Sequence, residues 1–324
     1  MPEPSAHKIN GGPAPPLRVW LATAVIAILA AALSIPPFLR IRAERELSFI
    51  RPCSEQIAAF TARGKNRQKV CPKIVVLGTS RICSGLFFDE QMEEFARQQA
   101  FGEIRFLRLA RVKGTIDHFL PLFDQIIDAK PDILFIEADS LFFSWEKGGI
   151  SEIVKEHSIY CRNCIKRGLR WVAGNHEKNK TTEELVGLWE NNLIIPQKQD
   201  VEQFQFYSEL LKKRQCRRGF DPEEPVAAML RRAYEKGVRI VILDLPRSEL
   251  MNTQIPASHK RLTKELSNQL GTLCAARFIV YPGQLGLGCF ADFTHLNDKG
   301  RELFSRWLLS QIKDITGIGG SRCS

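Results

Sequence analysis

The chain has 324 residues, 44% apolar and 25% charged, a balance that excludes a disordered polymer and suffices for a folded domain of enzyme size. Its formal net charge of +10 suits a surface facing anionic lipid headgroups or acidic polymers. The basic residues are scattered and accompany no helix-turn-helix or RNA-binding motif, so nucleic acid is not an expected partner.

The first segment, residues 1–17, is rich in Pro and Gly and is expected to be a disordered tail. Trp20 to Ile35 follows as an almost uninterrupted apolar run, fenced by Arg18 and by Pro36-Pro37. Its length, about sixteen to twenty residues, lies between a signal-peptide core and a full membrane span. Residues 18–39 are therefore expected to be a transmembrane anchor or a signal sequence; Ala30-Ala31-Ala32 would suit cleavage, but the long preceding tail favours the uncleaved anchor. Residues 40–69 are expected to be a linker or stalk.

Lys73-Ile74-Val75-Val76-Leu77 is short, β-branched and bounded by Pro72 and Gly78, which predicts a buried parallel strand with Ser80 just past its carboxyl end. Ligands of open α/β sheets gather in that crevice. Ile104 to Ala110 predicts a second strand, leading to Lys113-Gly114-Thr115, and Lys130 to Ser140 contains a third. Residues 145–222 then interrupt the pattern with polar, basic and aromatic sequence, including Trp171, His176, Trp189, Lys212-Lys213-Arg214 and Arg217-Arg218. This predicts a helical insertion over the site, readable as a lid, a docking surface or a solvated elaboration.

Val226, Met229, Leu230, Ala233 and Tyr234 recur at helical spacing before a C-capping Gly237, and Val238 to Pro246 follows as a strand. A fifth strand, Arg277 to Tyr281, ends at Pro282-Gly283. The alternation predicts a three-layer α/β/α sandwich with a mostly parallel sheet. Right-handed crossovers would bring residues 80, 114, 139 and 295 to one edge. Asp292-Phe293-Thr294-His295 comes next, directly before Leu303, Phe304, Trp307, Leu308 and Ile312, which form one helical stripe. Residues 316–324 are expected to be a tail.

A serine hydroxyl is a poor nucleophile until an imidazole takes its proton and a carboxylate orients that imidazole. Asp292 and His295, three residues apart on one turn, can supply both to Ser80. Cys83 is a rival nucleophile, although a small buried residue is the plainer reading. Cys161-Arg162-Asn163-Cys164 has the spacing of a redox pair or half a zinc site, but no second pair or His completes it. Gly283-x-x-Gly286-x-Gly288 lacks the helix and lysine of a phosphate-cradling loop. No metal or other cofactor is expected. The nine cysteines, an odd number, leave at least one outside any disulfide scheme.

In this order the blocks resemble the SGNH, or GDSL-like, hydrolase superfamily over roughly residues 70–315, and within it the membrane-tethered branch that O-acylates cell-envelope polymers. Gly78-Thr79-Ser80 corresponds to the first block, which implies Ser80 as nucleophile. Gly114 corresponds to the glycine whose amide helps bind the oxyanion. The family's asparagine position falls on Asp139, which matters because asparagine donates a hydrogen and an ionised aspartate can only accept. The alternatives are a donor from Ser140 or a backbone amide, a protonated Asp139, or a hole built from the amides of Ser80 and Gly114 alone. Asp292-x-x-His295-Leu296-Asn297-x-x-Gly300 corresponds to the last block.

The resemblance implies an acyl-serine intermediate discharged to a sugar hydroxyl by an O-acyltransferase, with esterase chemistry or a catalytically degenerate envelope-binding scaffold as alternatives. It further implies an acylated donor, a glycan acceptor, a polytopic membrane acyltransferase partner, and a single-pass protein of the bacterial inner membrane with a periplasmic domain. Lys8 and Arg18 before the span and Arg40, Arg42, Arg45 and Arg51 after it would by charge alone place that domain in the cytoplasm. The extracytoplasmic expectation rests on the resemblance.

Overall fold

The computed structural model describes residues 16–63, 71–144, 157–158 and 199–317. Cys161, Cys164, Trp171, His176 and Trp189, and both expected tails apart from Pro16, Leu17, Thr316 and Gly317, lie outside them. The chain divides into two units, Met1–Glu46 with Gly149–Glu177, and Leu47–Gly148 with Lys178–Ser324.

The first unit contains the start of α1 (Leu17–Ala62), whose Leu17–Arg40 stretch, of mean hydropathy 2.2, is long and apolar enough to cross a membrane. The helix runs on through Pro36 and Pro37, each of which removes one helical N–H donor without ending it. Within this unit His157 Nε2 lies 2.9 Å from Ser34 Oγ, and its ring meets that of Phe38 edge-on at 5.3 Å.

The second unit is built on five parallel strands: β1 (Lys73–Gly78), β2 (Arg105–Ala110), β3 (Ile133–Glu137), β6 (Arg239–Asp244) and β7 (Arg277–Val280), in the order β2-β1-β3-β6-β7. A short antiparallel pair, β4 (Phe143–Ser144) with β5 (Gln215–Cys216), joins the two ends of the insertion. The helices are α2 (Ser80–Gly85), α3 (Asp89–Gln98), a 3-10 turn (Ile116–Leu122) running into α4 (Phe123–Asp128), α5 (Ala138–Phe142), α6 (Val201–Lys213), α7 (Pro225–Glu235), α8 (Glu249–Thr253), α9 (Ala257–Cys274) and α10 (Asp298–Thr316).

Strand side chains alternate between faces, and the core divides accordingly. Val75, Leu77, Leu107, Leu134, Ile136, Ile240 and Ile242 pack with α4, α7, α9 and the end of α1. Ile74, Val76, Phe106, Ile133, Phe135, Val241 and Leu243 pack with α2, α3 and α10. The result is the expected three-layer α/β/α sandwich. The chain leaves β1 for β2 on one side and returns to β3 on the other, opening a crevice at the carboxyl ends of β1 and β3.

Two expectations change. Residues 40–69 do not form a stalk throughout: they are helical to Ala62, and Phe49, Cys53, Ile57 and Phe60 are buried in the core. Their four-, four- and three-residue spacing is one helical stripe, masked in the sequence by Arg51 and Pro52 inside it. In α10 the large apolar side chains that are buried are Phe304, Leu308, Leu309 and Ile312, whereas Leu303 is 38% exposed.

Candidate active site

Strand β1 ends at Gly78, where a Cβ would collide with Ile82 and lie 2.6 Å from Glu137 Oε2, so only glycine lets the two strand ends approach this closely. Glu137, fully buried at the end of β3, accepts from the Thr79 amide at 2.5 Å and the Thr79 hydroxyl at 3.0 Å. Thr79 in turn caps α2, accepting from the Arg81 amide at 3.2 Å. These contacts fix Ser80 as the first residue of a short helix, half-buried at the crevice.

The partner groups arrive on the turn after β7. An Ala291 N–H to His295 carbonyl bond of 2.8 Å and a bridge between Phe290 and Leu296 close that turn. Asn297 then caps α10 by accepting from the Gly300 amide at 3.1 Å. Gly300 packs so tightly on the Cys289 carbonyl that any Cβ would overlap it.

The turn brings His295 Nε2 to 2.9 Å from Ser80 Oγ and His295 Nδ1 to 2.7 Å from Asp292 Oδ2. Asp292 is fully buried, and its Oδ1 accepts from the amides of Thr294 and His295, both at 2.7 Å, and from the Thr294 hydroxyl at 3.2 Å. Burial works to raise its pKa, but the bonds from His295 and the two amides outweigh it and pull the carboxyl down to about 2. An ionised carboxylate only accepts, so His295 carries its proton on Nδ1 and turns the Nε2 lone pair to the Ser80 hydroxyl. Ser80, His295 and Asp292 are thus in mutual hydrogen-bonding reach.

The expected oxyanion donors are placed differently. Gly114 lies in a turn after β2, and its amide donates to the Arg111 carbonyl at 2.9 Å, so it is engaged within its own loop. Asp139 offers no donor, because its Oδ2 accepts from Arg81 at 2.8 Å and Arg214 at 2.7 Å while Oδ1 pairs with Arg247. Burial opposes its ionisation, yet the guanidiniums of Arg247, Arg214 and Arg81 hold it well below the usual carboxylate range. The Ser140 hydroxyl donates to the Glu137 carbonyl at 2.8 Å and is engaged too. The Ser80 amide, first in α2, makes no hydrogen bond among the described residues and points to the remaining donor.

Several site residues escaped the sequence reading. Tyr207 of α6 donates its hydroxyl to Asp292 Oδ2 at 2.7 Å. Arg81, Arg214 and Arg247 converge on Asp139 from three segments, and Arg81 also donates to the carbonyls of Leu245 and Pro246 at 2.5 and 3.1 Å. Arg217 pairs with Asp117 and Glu224. Arg214 and Arg217 therefore face inward to these partners. The one available signal was the stripe Phe204, Tyr207, Ser208 and Leu211, which marks the packing face of α6.

Among the cavities of the second unit, two lie near the carboxyl ends of the strands. One, about 370 Å³, is lined by Cys83, Phe88, Asp89, Arg108 and Ala110 among others, and Ala110 pairs in register with Gly78. Burial pushes the Asp89 carboxyl there up to about 6. The other, about 400 Å³, lies among Asp139, Asp244, Arg247, Lys260 and Lys264. No disulfide links the described cysteines.

No protein-family model matches the chain, and no curated protein matches it. Solved structures do. The chain is similar to the lipase/acylhydrolase from Enterococcus faecalis, with 12% identity, 75% of this chain and 96% of that chain covered, and a TM-score of 0.37. It is similar to the psychrotrophic esterase EstA from Pseudoalteromonas sp., with 10% identity, 76% and 98% covered, and a TM-score of 0.37. It is also similar to a family two carbohydrate esterase from Clostridium thermocellum in complex with cellohexaose, with 12% identity, 78% and 66% covered, and a TM-score of 0.37.

Proposed function

We propose that this protein is a serine acyl-transfer enzyme of the SGNH kind, tethered to a membrane by Leu17–Arg40. The observation that carries the reading is the unbroken relay from Ser80 through His295 to Asp292, at 2.9 and 2.7 Å. Ser80 Oγ attacks an ester or thioester carbonyl as its proton passes to His295 Nε2. Asp292 holds the ring and stabilises the imidazolium, and the Ser80 amide receives the oxyanion. His295 returns the proton to the leaving group, leaving an acyl-serine. An incoming hydroxyl then gives its proton to His295 and takes the acyl group, and His295 returns that proton to the departing Ser80 Oγ, restoring the resting relay.

In the finer reading the acceptor is a sugar hydroxyl of a cell-envelope glycan, the acyl group is acetyl, and a polytopic membrane acyltransferase supplies the donor. The domain then stands on the extracytoplasmic side of a bacterial inner membrane. The motif resemblance, the net charge of +10 and the apolar N-terminal helix support this assignment. Discharge to water is the second reading, favoured by the partial exposure of Ser80.

A serine-directed fluorophosphonate tests the core claim. Wild type is expected to label, and Ser80→Ala and His295→Ala to lose at least about a thousandfold in labelling rate. Folded wild type that does not label would point to a non-catalytic scaffold. Intact mass after incubation with an acetyl ester should then show an acetyl adduct on Ser80, and its lifetime with glycan or with water alone separates transfer from hydrolysis.

A further inference from the structure

We propose that Tyr207 is a positioning residue of the relay, whose hydroxyl shares the Asp292 oxygen that holds the imidazole and so sets the pH at which His295 becomes a competent base. The proposal rests on the serine acyl-transfer reading for its catalytic consequence, but not for its geometry. Tyr207 and His295 Nδ1 both reach Asp292 Oδ2 at 2.7 Å, while the other oxygen is occupied by Thr294 and the His295 amide. The phenol ring also meets the imidazole edge-on at 6.0 Å.

Helix α6 is held in place by contacts that do not involve the relay. Gln199, just before it, donates to the carbonyls of Leu287 and Phe290 at 3.1 and 2.8 Å, on the segment that leads to Asp292. Asp200 caps the helix by accepting from the Gln203 amide at 2.9 Å. Phe204 packs edge-on against Phe293 at 5.4 Å, and Leu211 joins Met251 and Phe293 in a small apolar cluster. Tyr207 is therefore delivered to the carboxylate by the packing of α6.

The groups facing the pair are Ser80 from α2, Thr294 from the turn itself, whose hydroxyl lies 3.1 Å from His295 Nδ1, and Tyr207 from α6. The charges on adjoining segments, Arg81, Arg214 and Arg247, are gathered on Asp139. Two donors on one oxygen divide its electron density, so the phenol weakens the hold of Asp292 on the imidazolium. Burial, followed by the Asp292 charge, pushes the phenol above its ordinary range, so it stays a protonated donor across the acid and neutral range.

Removing the hydroxyl should make the imidazole more basic. In Tyr207→Phe the His295 midpoint, followed by imidazole nitrogen-15 resonances, is expected to rise by about 0.5 to 1 pH unit, a threefold to tenfold gain in proton affinity. The acid limb of the fluorophosphonate rate profile should move up with it. Placing 3-fluorotyrosine at 207 keeps the shape but strengthens the donor, and should move both downward. An unchanged midpoint in both folded variants, or shifts of the opposite sign, overturns the proposal. Because the resonance titration needs no activity, a shifted midpoint in a protein that never labels would retain Tyr207 and reject the enzyme reading. Labelling that depends on Ser80 with an unmoved midpoint would do the reverse.

Discussion

Asp139 and Asp292 stand past the ends of β3 and β7, 6% and 0% exposed, and both are held in the ionised form. Their neighbours differ in kind. Asp139 is surrounded by three guanidiniums, which keep their charge at any ordinary pH and hold geometry through fixed forks of donors. Asp292 faces an imidazole and a phenol, groups whose protons can shift or be shared. The same functional group therefore ties segments together at one place and orients an imidazole at the other. What a buried carboxylate does is decided by whether its partners can change protonation.

Substituting each acid by its amide separates the two roles. Asp292→Asn should lower the fluorophosphonate rate by about 10³- to 10⁴-fold while the protein stays folded, because the imidazole loses the charge that fixes its tautomer. Asp139→Asn should act mainly on stability: the buried guanidiniums of Arg81 and Arg247 and the partly buried one of Arg214 lose a shared counter-charge, and breaking such a group costs about 3–5 kcal/mol. A melting temperature lower by on the order of 10 °C would register it. If Asp139→Asn instead left stability intact and changed only the rate, the contrast drawn between the two acids would collapse.

The smallest effect lies in acid. A carboxyl depressed to about 2 when folded, against an ordinary value of 3.8, stabilises the fold fully above the ordinary value and loses that contribution as pH falls through the lower one. For Asp292 this amounts to about 2 kcal/mol. Asp139, depressed for a different reason, adds in the same direction. Denaturant unfolding at neutral pH and near pH 2.5 should show the loss in wild type and a reduced loss in each amide variant.

Local chemistry wrote much of this arrangement plainly. Five β-branched or apolar runs became the five parallel strands, and the Asp292 to His295 turn lies beside Ser80 because strand order and crossover handedness leave the strand ends at one edge. Contacts that span the chain left no local trace. Arg81 meets Asp139 across 58 positions and Arg247 meets it across 108, and nothing in either neighbourhood distinguishes these arginines from solvated ones. Tyr207 lay in a polar stretch whose helix is placed by the turn it covers. The Gly114 expectation rested on family analogy, and the hydrogen bond from its amide to Arg111 is a local turn contact that the analogy does not specify.

The hydroxyl and the imidazole are separated by 215 positions, and the turn carrying the imidazole follows β7, the edge strand that pairs last along the chain. A ribosome therefore releases the serine long before its base exists. Until β7 docks on β6 and α10 seals the turn, Ser80 is an ordinary alcohol without its imidazole partner. The relay is therefore a property of the completed sheet, present in neither sequence motif alone.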